Sequence, residues 1–156
     1  RLIPDSARAI NSGKKLNVRN PNATRPWQHV LDCLSGYLLL LEKSNDKLNF
    51  NNWNFGPSLS YKKSVSDVLD ITKKRYPSLN LLNIKKNKYH EFQNLSLNIN
   101  RAKKFLDWKP VLSFKETIHI TLDWYFYNKI NPSISHKQLL DYFNYAKNKK
   151  ISWIND

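Results

Sequence analysis

Short helical runs alternate with still shorter extended pieces along this chain, and that alternation limits the fold more than any single motif. Residues 2–12 place Leu2, Ile3, Ala7 and Ile10 on one side of a helix, and Gly13 is a natural C-terminal stop. Leu16 and Val18 then alternate with Asn17 and Arg19, the period of a strand. Residues 25–30 read as a second extended piece after a turn rich in Asn and Pro. Leu31, Leu34, Leu38 and Leu41 recur at helical spacing and predict an amphipathic helix over 31–44. Residues 53–57 read as a strand that ends at Gly56-Pro57, and 79–84 as another. Between them, Ser64 and Asp67 have the spacing of a capped helix start, with Val65, Val68, Leu69 and Thr72 on one face. Residues 98–106 read as a short helix, closed by Asp107, which tolerates the left-handed conformation. Ser113 and Glu116 form a capping box for the next helix, whose inner stripe is Phe114, Ile118, Leu122 and Tyr125. A last helix is predicted over 135–148, with Leu139, Leu140, Phe143 and Ala146 apolar, followed by a basic tail. Helices alternating with strands predict the α/β class, helices packed on short strands.

At 156 residues the chain is long enough for one domain with a real core. It contains no methionine and begins at Arg1, which predicts further chain upstream. Cys33 is the single cysteine, so no internal disulfide can form, and a reducing, cytoplasmic setting is expected. The longest apolar run, Tyr37 to Leu41, is far too short to span a bilayer. A net charge of +14 invites a nucleic-acid reading. The lysines, however, are dispersed in pairs such as Lys14-Lys15, Lys62-Lys63 and Lys103-Lys104. Together with the abundance of Asn and Ile, they read as solvated faces and compositional drift rather than one footprint.

The stretch from Arg19 to Val30 concentrates the chemistry. It holds Arg19, Arg25, Trp27, Gln28 and His29, with Pro21 and Pro26 fixing the backbone between them. Guanidinium groups match phosphate oxygens two at a time. Arg25 would clamp a diphosphate from a strand end, or else pair with a carboxylate. With 12 acidic residues against 26 basic ones, carboxylate partners are scarce, which favours phosphate. Trp27 would stack on a ligand or fill the core, and core is the commoner fate of tryptophan. On a strand, Gln28 and His29 would point to opposite faces, so at most one would face a ligand. Asn54 and Gly56 sit at a predicted strand end, where α/β folds form crevices, or merely terminate the strand. No metal site is expected, because His29, His90, His119 and His136 are scattered and Cys33 stands alone. Cys33 itself reads as a small buried side chain rather than a nucleophile. A dinucleotide-binding turn needs closely spaced glycines, whereas Gly13, Gly36 and Gly56 are far apart. Tyr125 and Lys129, like Tyr145 and Lys149, share the Tyr-x-x-x-Lys spacing but read as surface helix residues. No catalytic residue is assigned.

Several motifs fall in a familiar order: Arg-Leu-Ile-Pro-Asp at 1–5, Arg-Asn-Pro at 19–21 and Arg-Pro-Trp-Gln-His-Val at 25–30. Ser-Gly-Tyr-Leu-Leu-Leu at 35–40, Trp-Asn-Phe-Gly-Pro at 53–57 and Asp-Trp-Lys-Pro at 107–110 follow. Over residues 1–127 the chain resembles the C-terminal half of the CDP-glucose 4,6-dehydratases, in the extended short-chain dehydrogenase/reductase superfamily. The resemblance implies a substrate-binding region at 1–127, with a basic extension over 128–156 lying beyond the pattern. It implies a parent enzyme, a homo-oligomer, that uses NAD to convert CDP-glucose to CDP-4-keto-6-deoxyglucose. By the same resemblance, the Rossmann half and the family's Tyr-x-x-x-Lys pair would lie upstream. This chain would then bind no NAD alone and would not turn over substrate alone. The resemblance also places Arg1 beside the nucleotide and His90-Glu91 near the sugar, although both could equally be solvated. Two other readings are a basic nucleic-acid-binding module and a non-catalytic structural partner of a separate Rossmann subunit.

Overall fold

The structure is a computed structural model in which residues 1–43, 52–58, 62–83, 92–127 and 131–154 are described. The elements follow in the order α1 (Leu2–Ser12), β1 (Leu16–Val18), β2 (Thr24–Arg25), α2 (Val30–Glu42), β3 (Lys63–Ser64) and α3 (Val65–Arg75). They continue with β4 (Leu81–Asn83), α4 (Asn100–Leu106), α5 (Phe114–Tyr127) and α6 (Ile134–Asn148), and end with a 3-10 turn at Ser152–Ile154. β1 runs parallel to β4, with Leu16 opposite Leu81 and Val18 opposite Asn83. β2 pairs antiparallel with β3, with Thr24 opposite Ser64 and Arg25 opposite Lys63. The expected α/β class, helices on short strands, is what the chain adopts.

Local chemistry sets most of the boundaries. Gly13 takes a φ of 65°, which a side chain would resist, and the turn it makes satisfies the carbonyls of Ala9 and Ile10 at the end of α1. That turn sends the chain straight into β1. Ala9, Leu16, Val18, Leu69 and Leu79 then close one core cluster across α1, β1 and α3. The capping box of α3 is complete. Ser64 Oγ accepts the Asp67 N–H at 3.1 Å, and Asp67 Oδ2 accepts the Ser64 N–H at 2.7 Å. The box at Ser113 and Glu116 is likewise closed in both directions. Asp107 closes α4 in the left-handed region, with φ 52°. The turn it makes buries Trp108 against Leu39, Phe55, Ile99 and Leu106.

The structure corrects several expectations. The strand expected over 25–30 stops at Arg25. Pro26 has no N–H for a ladder, and the Trp27 N–H turns back to the Arg25 carbonyl at 2.9 Å. His29 instead caps α2, its Nδ1 accepting the Leu31 N–H at 3.3 Å. Gln28 and His29 therefore do not alternate across a strand.

Three leucines of the α2 stripe face outward, while Leu31 packs against the cluster of Val111 and Tyr142. Leu34, Leu38 and Leu41 are 45%, 67% and 70% exposed, while Asp32, Gly36 and Leu39 are buried. Gly36 is where Phe55 crosses the helix, and a Cβ there would meet the Phe55 ring at 2.2 Å. In α6 the buried residues are Gln138, Tyr142 and Ala146, whereas Leu139, Leu140 and Phe143 point out. Residues 53–57 run as irregular backbone outside both sheets rather than as a strand. Of the strand expected over 79–84, residues 81–83 form β4, and Ile84 lies outside the described residues.

A buried polar network explains the turned faces. Asp32 Oδ1 accepts the Val111 N–H at 2.7 Å and the Tyr142 hydroxyl at 2.9 Å. Ser35 Oγ lies 3.1 Å from the same hydroxyl and accepts the Trp108 indole N–H at 3.1 Å. Burial pushes the Asp32 carboxyl up, and the Val111 N–H and Tyr142 hydroxyl oppose that rise. Burial and the facing carboxylate push the Tyr142 phenol up as well. The network ties α2, the turn at 110–112 and α6 into one core. Ile151 is buried in that core, and Trp153 stacks on Tyr142 with centroids 6.2 Å apart.

Candidate functional site

The turn at Gly13 and the bend through Asn20-Pro21 lay the 14–25 stretch alongside α1. The result is a cleft of about 780 Å³. Its walls are α1, the Lys14–Asn20 stretch and the Ala23–Trp27 stretch. Arg1, Arg19, Arg25 and Trp27, four residues that the sequence singled out, all line it.

The cleft is strongly basic. Arg8, Lys14 and Lys15 join the three arginines on its walls, with Asp5 as the one carboxylate among the described lining residues. Arg8 pairs with Asp5 along the helix, which leaves the balance of charge positive. Arg8 was not singled out from the sequence, and Lys14 and Lys15 were read there as a solvated pair rather than as part of a site. The signal available was Gly13, whose left-handed turn forces Lys14 and Lys15 beside the last turn of the helix that carries Arg8.

Each arginine is held differently. Arg19 extends from the exposed end of β1 onto the rim. Arg25 is half-buried, and its Nη1 donates to the carbonyl of Thr24 at 2.8 Å and to that of Phe92 at 3.0 Å. One edge of the guanidinium therefore braces the 92–94 segment, which also bridges to Thr24 through Asn94. The same side chain borders a second, smaller cleft with Pro57, Lys62 and Leu95. Trp27 packs into the cluster of Val68, Ile118 and Leu122, and its indole N–H donates to the Lys63 carbonyl at 3.0 Å. Packing is thus its main role, with one edge of the ring on the cleft.

Gln28 and His29 are placed elsewhere. Both border a groove formed with Val30, Trp124, Tyr125 and Gln138. Burial pulls the His29 imidazole down to about 4, so at neutral pH it is an uncharged helix cap. Gln28 Nε2 is buried with no hydrogen-bond partner among the described residues, beside a cavity of about 210 Å³ that also reaches Asp32, Lys63 and Lys149. His90 and Glu91 lie outside the described residues. Asn54 donates to the Asn98 carbonyl at 3.3 Å, and Gly56 packs closely against Leu97. Lys149, from one of the Tyr-x-x-x-Lys matches, bonds the Val111 carbonyl at 2.8 Å and Glu116 at 2.7 Å, a structural duty.

Two further features bear on what the site can hold. The chain's three glycines do not build a dinucleotide turn: Gly13 ends a helix, Gly36 lies within one under Phe55, and Gly56 faces Leu97. Among the described residues, no group of His, Cys, Asp and Glu is arranged to hold a metal ion, and no helix is long and apolar enough to cross a membrane.

Comparison with known proteins bears on the fold. No family model matches the chain. The CDP-glucose 4,6-dehydratase of Salmonella typhimurium is 34% identical over 129 residues, which cover 80% of this chain and 36% of that enzyme. The UDP-glucuronic acid 4-epimerase of Bacillus cereus, solved with UDP-glucuronic acid and NAD, superposes with a TM-score of 0.71 at 17% identity. That superposition covers 81% of this chain and 40% of the epimerase. The dTDP-glucose 4,6-dehydratase of Bacillus anthracis, solved with NAD, gives a TM-score of 0.68 at 21% identity, covering 84% of this chain and 40% of that one. The chain thus spans well under half the length of the relatives it matches. In sequence and in fold it is related to the C-terminal part of the CDP-glucose 4,6-dehydratases, within the extended short-chain dehydrogenase/reductase, NAD-dependent epimerase/dehydratase superfamily.

Proposed function

We propose that this chain is the substrate-binding part of an NAD-dependent nucleotide-sugar 4,6-dehydratase, with CDP-glucose as the substrate. The observation that carries this reading is the convergence of Arg1, Arg19 and Arg25 on one basic cleft, in a chain related to that enzyme. In this reading the cleft receives the nucleotide and its diphosphate. Arg19 meets the diphosphate from the rim, and Arg25 meets it from the end of β2. The backbone carbonyls of Thr24 and Phe92 hold Arg25 in place, so little side-chain entropy is lost when a phosphate arrives. Trp27 forms the floor. NAD and the proton-transferring groups belong to a separate N-terminal Rossmann half, so the isolated chain binds the nucleotide weakly and does not turn it over.

Calorimetric titration of CDP-glucose into the chain tests the assignment. Weak binding is expected, with cytidine, which lacks the diphosphate, a poor competitor. Arg19→Ala removes a charge-assisted contact worth about 1.5–3 kcal/mol and should weaken binding roughly tenfold or more. Arg19 is exposed, so the variant keeps the wild-type melting temperature. Unchanged affinity in that variant would refute the cleft. Turnover of CDP-glucose by the chain with NAD would overturn the division of roles. Tight oligonucleotide binding with a steep salt dependence would instead favour the nucleic-acid reading.

A further inference from the structure

A cavity of about 210 Å³ lies where the approach to α2, the strand β3 and the first turn of α5 meet. A dry cavity of about 150 Å³ can hold benzene, so this one has room for a ring with a small substituent. Trp27, Leu112 and Phe114 supply an apolar wall. Trp27 borders the basic cleft as well, but none of the cleft's arginines lines the cavity.

Three polar groups on its wall are short of partners. Gln28 Nε2 is buried with no hydrogen-bond acceptor. Thr117 is 4% exposed, and its hydroxyl enters no hydrogen bond among the described residues. Lys63 Nζ lies over the Phe114 ring, 5.6 Å from its centroid, and bonds no carboxylate among the described residues. Phe114 and Thr117 are one turn apart on α5, so ring and hydroxyl share a face. Buried polar groups are ordinarily paired, with protein, water or a ligand. The other charged groups on the wall are already engaged. Lys149 donates to the Val111 carbonyl and to Glu116. Asp32 accepts the N–H groups of Val111 and Leu112 and the Tyr142 hydroxyl. The unmet demand is therefore for an acceptor, and an ammonium beside it favours an anionic one.

We infer that this cavity is a second binding site, for a small carboxylic acid with a flat apolar body. Gln28, Thr117 and Lys63 hold the carboxylate, and the body lies among Trp27, Leu112 and Phe114. A carboxylate has lone pairs enough for all three donors at once. The aromatic walls on either side match a ring better than a flexible chain. The site does not depend on what fills the basic cleft, because it shares only Trp27 with that cleft.

Titration of benzoate into the whole nitrogen-15-labelled chain, followed by nuclear magnetic resonance, tests it. Saturable shifts of the Trp27 indole and Gln28 side-chain amide signals are expected, with a Kd on the order of 1 mM. Benzamide has the same shape without the charge and should bind roughly tenfold more weakly. Acetate has the charge without the ring and should not saturate. Thr117→Val is nearly isosteric, and Lys63→Gln keeps the backbone carbonyl that receives the Trp27 indole N–H. Each should weaken benzoate about tenfold. Thermal melts check folding, and wild-type midpoints are expected, since Thr117→Val removes a hydroxyl that has no partner. If a variant melts early, the comparison of benzoate with benzamide in the wild-type chain decides. Benzamide binding as tightly as benzoate overturns the carboxylate assignment. Shifts that never saturate, or that spread over the surface lysines, overturn the site, as does benzoate affinity unchanged in folded Thr117→Val. CDP-glucose should not displace benzoate, and displacement would make the cavity an arm of the basic cleft and overturn a second site.

Discussion

His29 shows how a residue chosen for ligand chemistry can serve the fold instead. Its ring accepts the Leu31 N–H and caps α2, and burial holds its pKa near 4 instead of 6.5. A base whose folded pKa lies below its unfolded one stabilises the fold fully above the unfolded value. That contribution is lost as pH falls from 6.5 towards 4, up to about 3 kcal/mol if the full shift is realised. Asparagine also caps helices but does not titrate. Urea denaturation at pH 7 and pH 4.5 should therefore show a steeper loss of stability in wild type than in His29→Asn. Taking the difference between the two proteins removes the contribution of Asp32, whose raised carboxyl pKa works with the opposite sign. Equal losses in both proteins would mean that the ring is solvated in the native state. Gly36 makes a second point at this scale. An added methyl would meet the Phe55 ring at 2.2 Å, so Gly36→Ala must displace that ring despite alanine's better helix propensity. Overpacking of this kind costs about 1–3 kcal/mol, which a thermal melt would show as a lowered midpoint.

At the scale of elements, what the sequence reveals depends on how far apart the determining residues lie. The boxes at Ser64–Asp67 and Ser113–Glu116, the stop at Gly13 and the left-handed Asp107 each depend on neighbours within a few positions, and all were legible. The cluster of Arg19, Arg25 and Trp27 was legible for the same reason, because prolines and a turn fix it locally. The inner faces of α2 and α6 were not legible. Both helices are apolar on more than one side, so leucine spacing cannot say which side is inside. The choice is made by Asp32, which reaches Val111, and by Tyr142, which reaches Asp32, contacts 79 and 110 positions apart in sequence. Lys14 and Lys15 were missed in the cleft because their neighbours there come from α1 rather than from their own strand. The network gives a direct measurement. Tyr142→Phe keeps the ring stacked near Trp153 but removes the donor to Asp32, leaving a buried carboxylate short of one bond. Loss of about 1–3 kcal/mol is expected from equilibrium unfolding. Leu140→Ser, on the exposed side of the same helix, should fall within about 0.5 kcal/mol of wild type.

For the whole molecule, the question is whether residues 131–154 are an appendage or part of the fold. By sequence pattern they follow the stretch that resembles other enzymes, and their basic composition suggests a solvated tail. In the structure they complete a core. Tyr142, Ala146 and Ile151 are buried with Val111 and Leu112, and Trp153 also packs against the cluster of Phe55 and Trp108. Lys149 further binds the 111–116 corner through Val111 and Glu116. Burying Tyr142, Ile151 and part of Trp153 contributes roughly 4–8 kcal/mol at about 1.5–3 kcal/mol per large side chain. A domain of this kind has a net stability of only about 5–15 kcal/mol. Truncation after Tyr127 would also open the network around Asp32 and expose the apolar side of α5. The truncated chain should therefore lose its cooperative urea transition and its near-ultraviolet circular dichroism, while keeping part of its helical signal. An appended tail would predict the opposite, a sharp transition shifted by only a few degrees in a thermal melt.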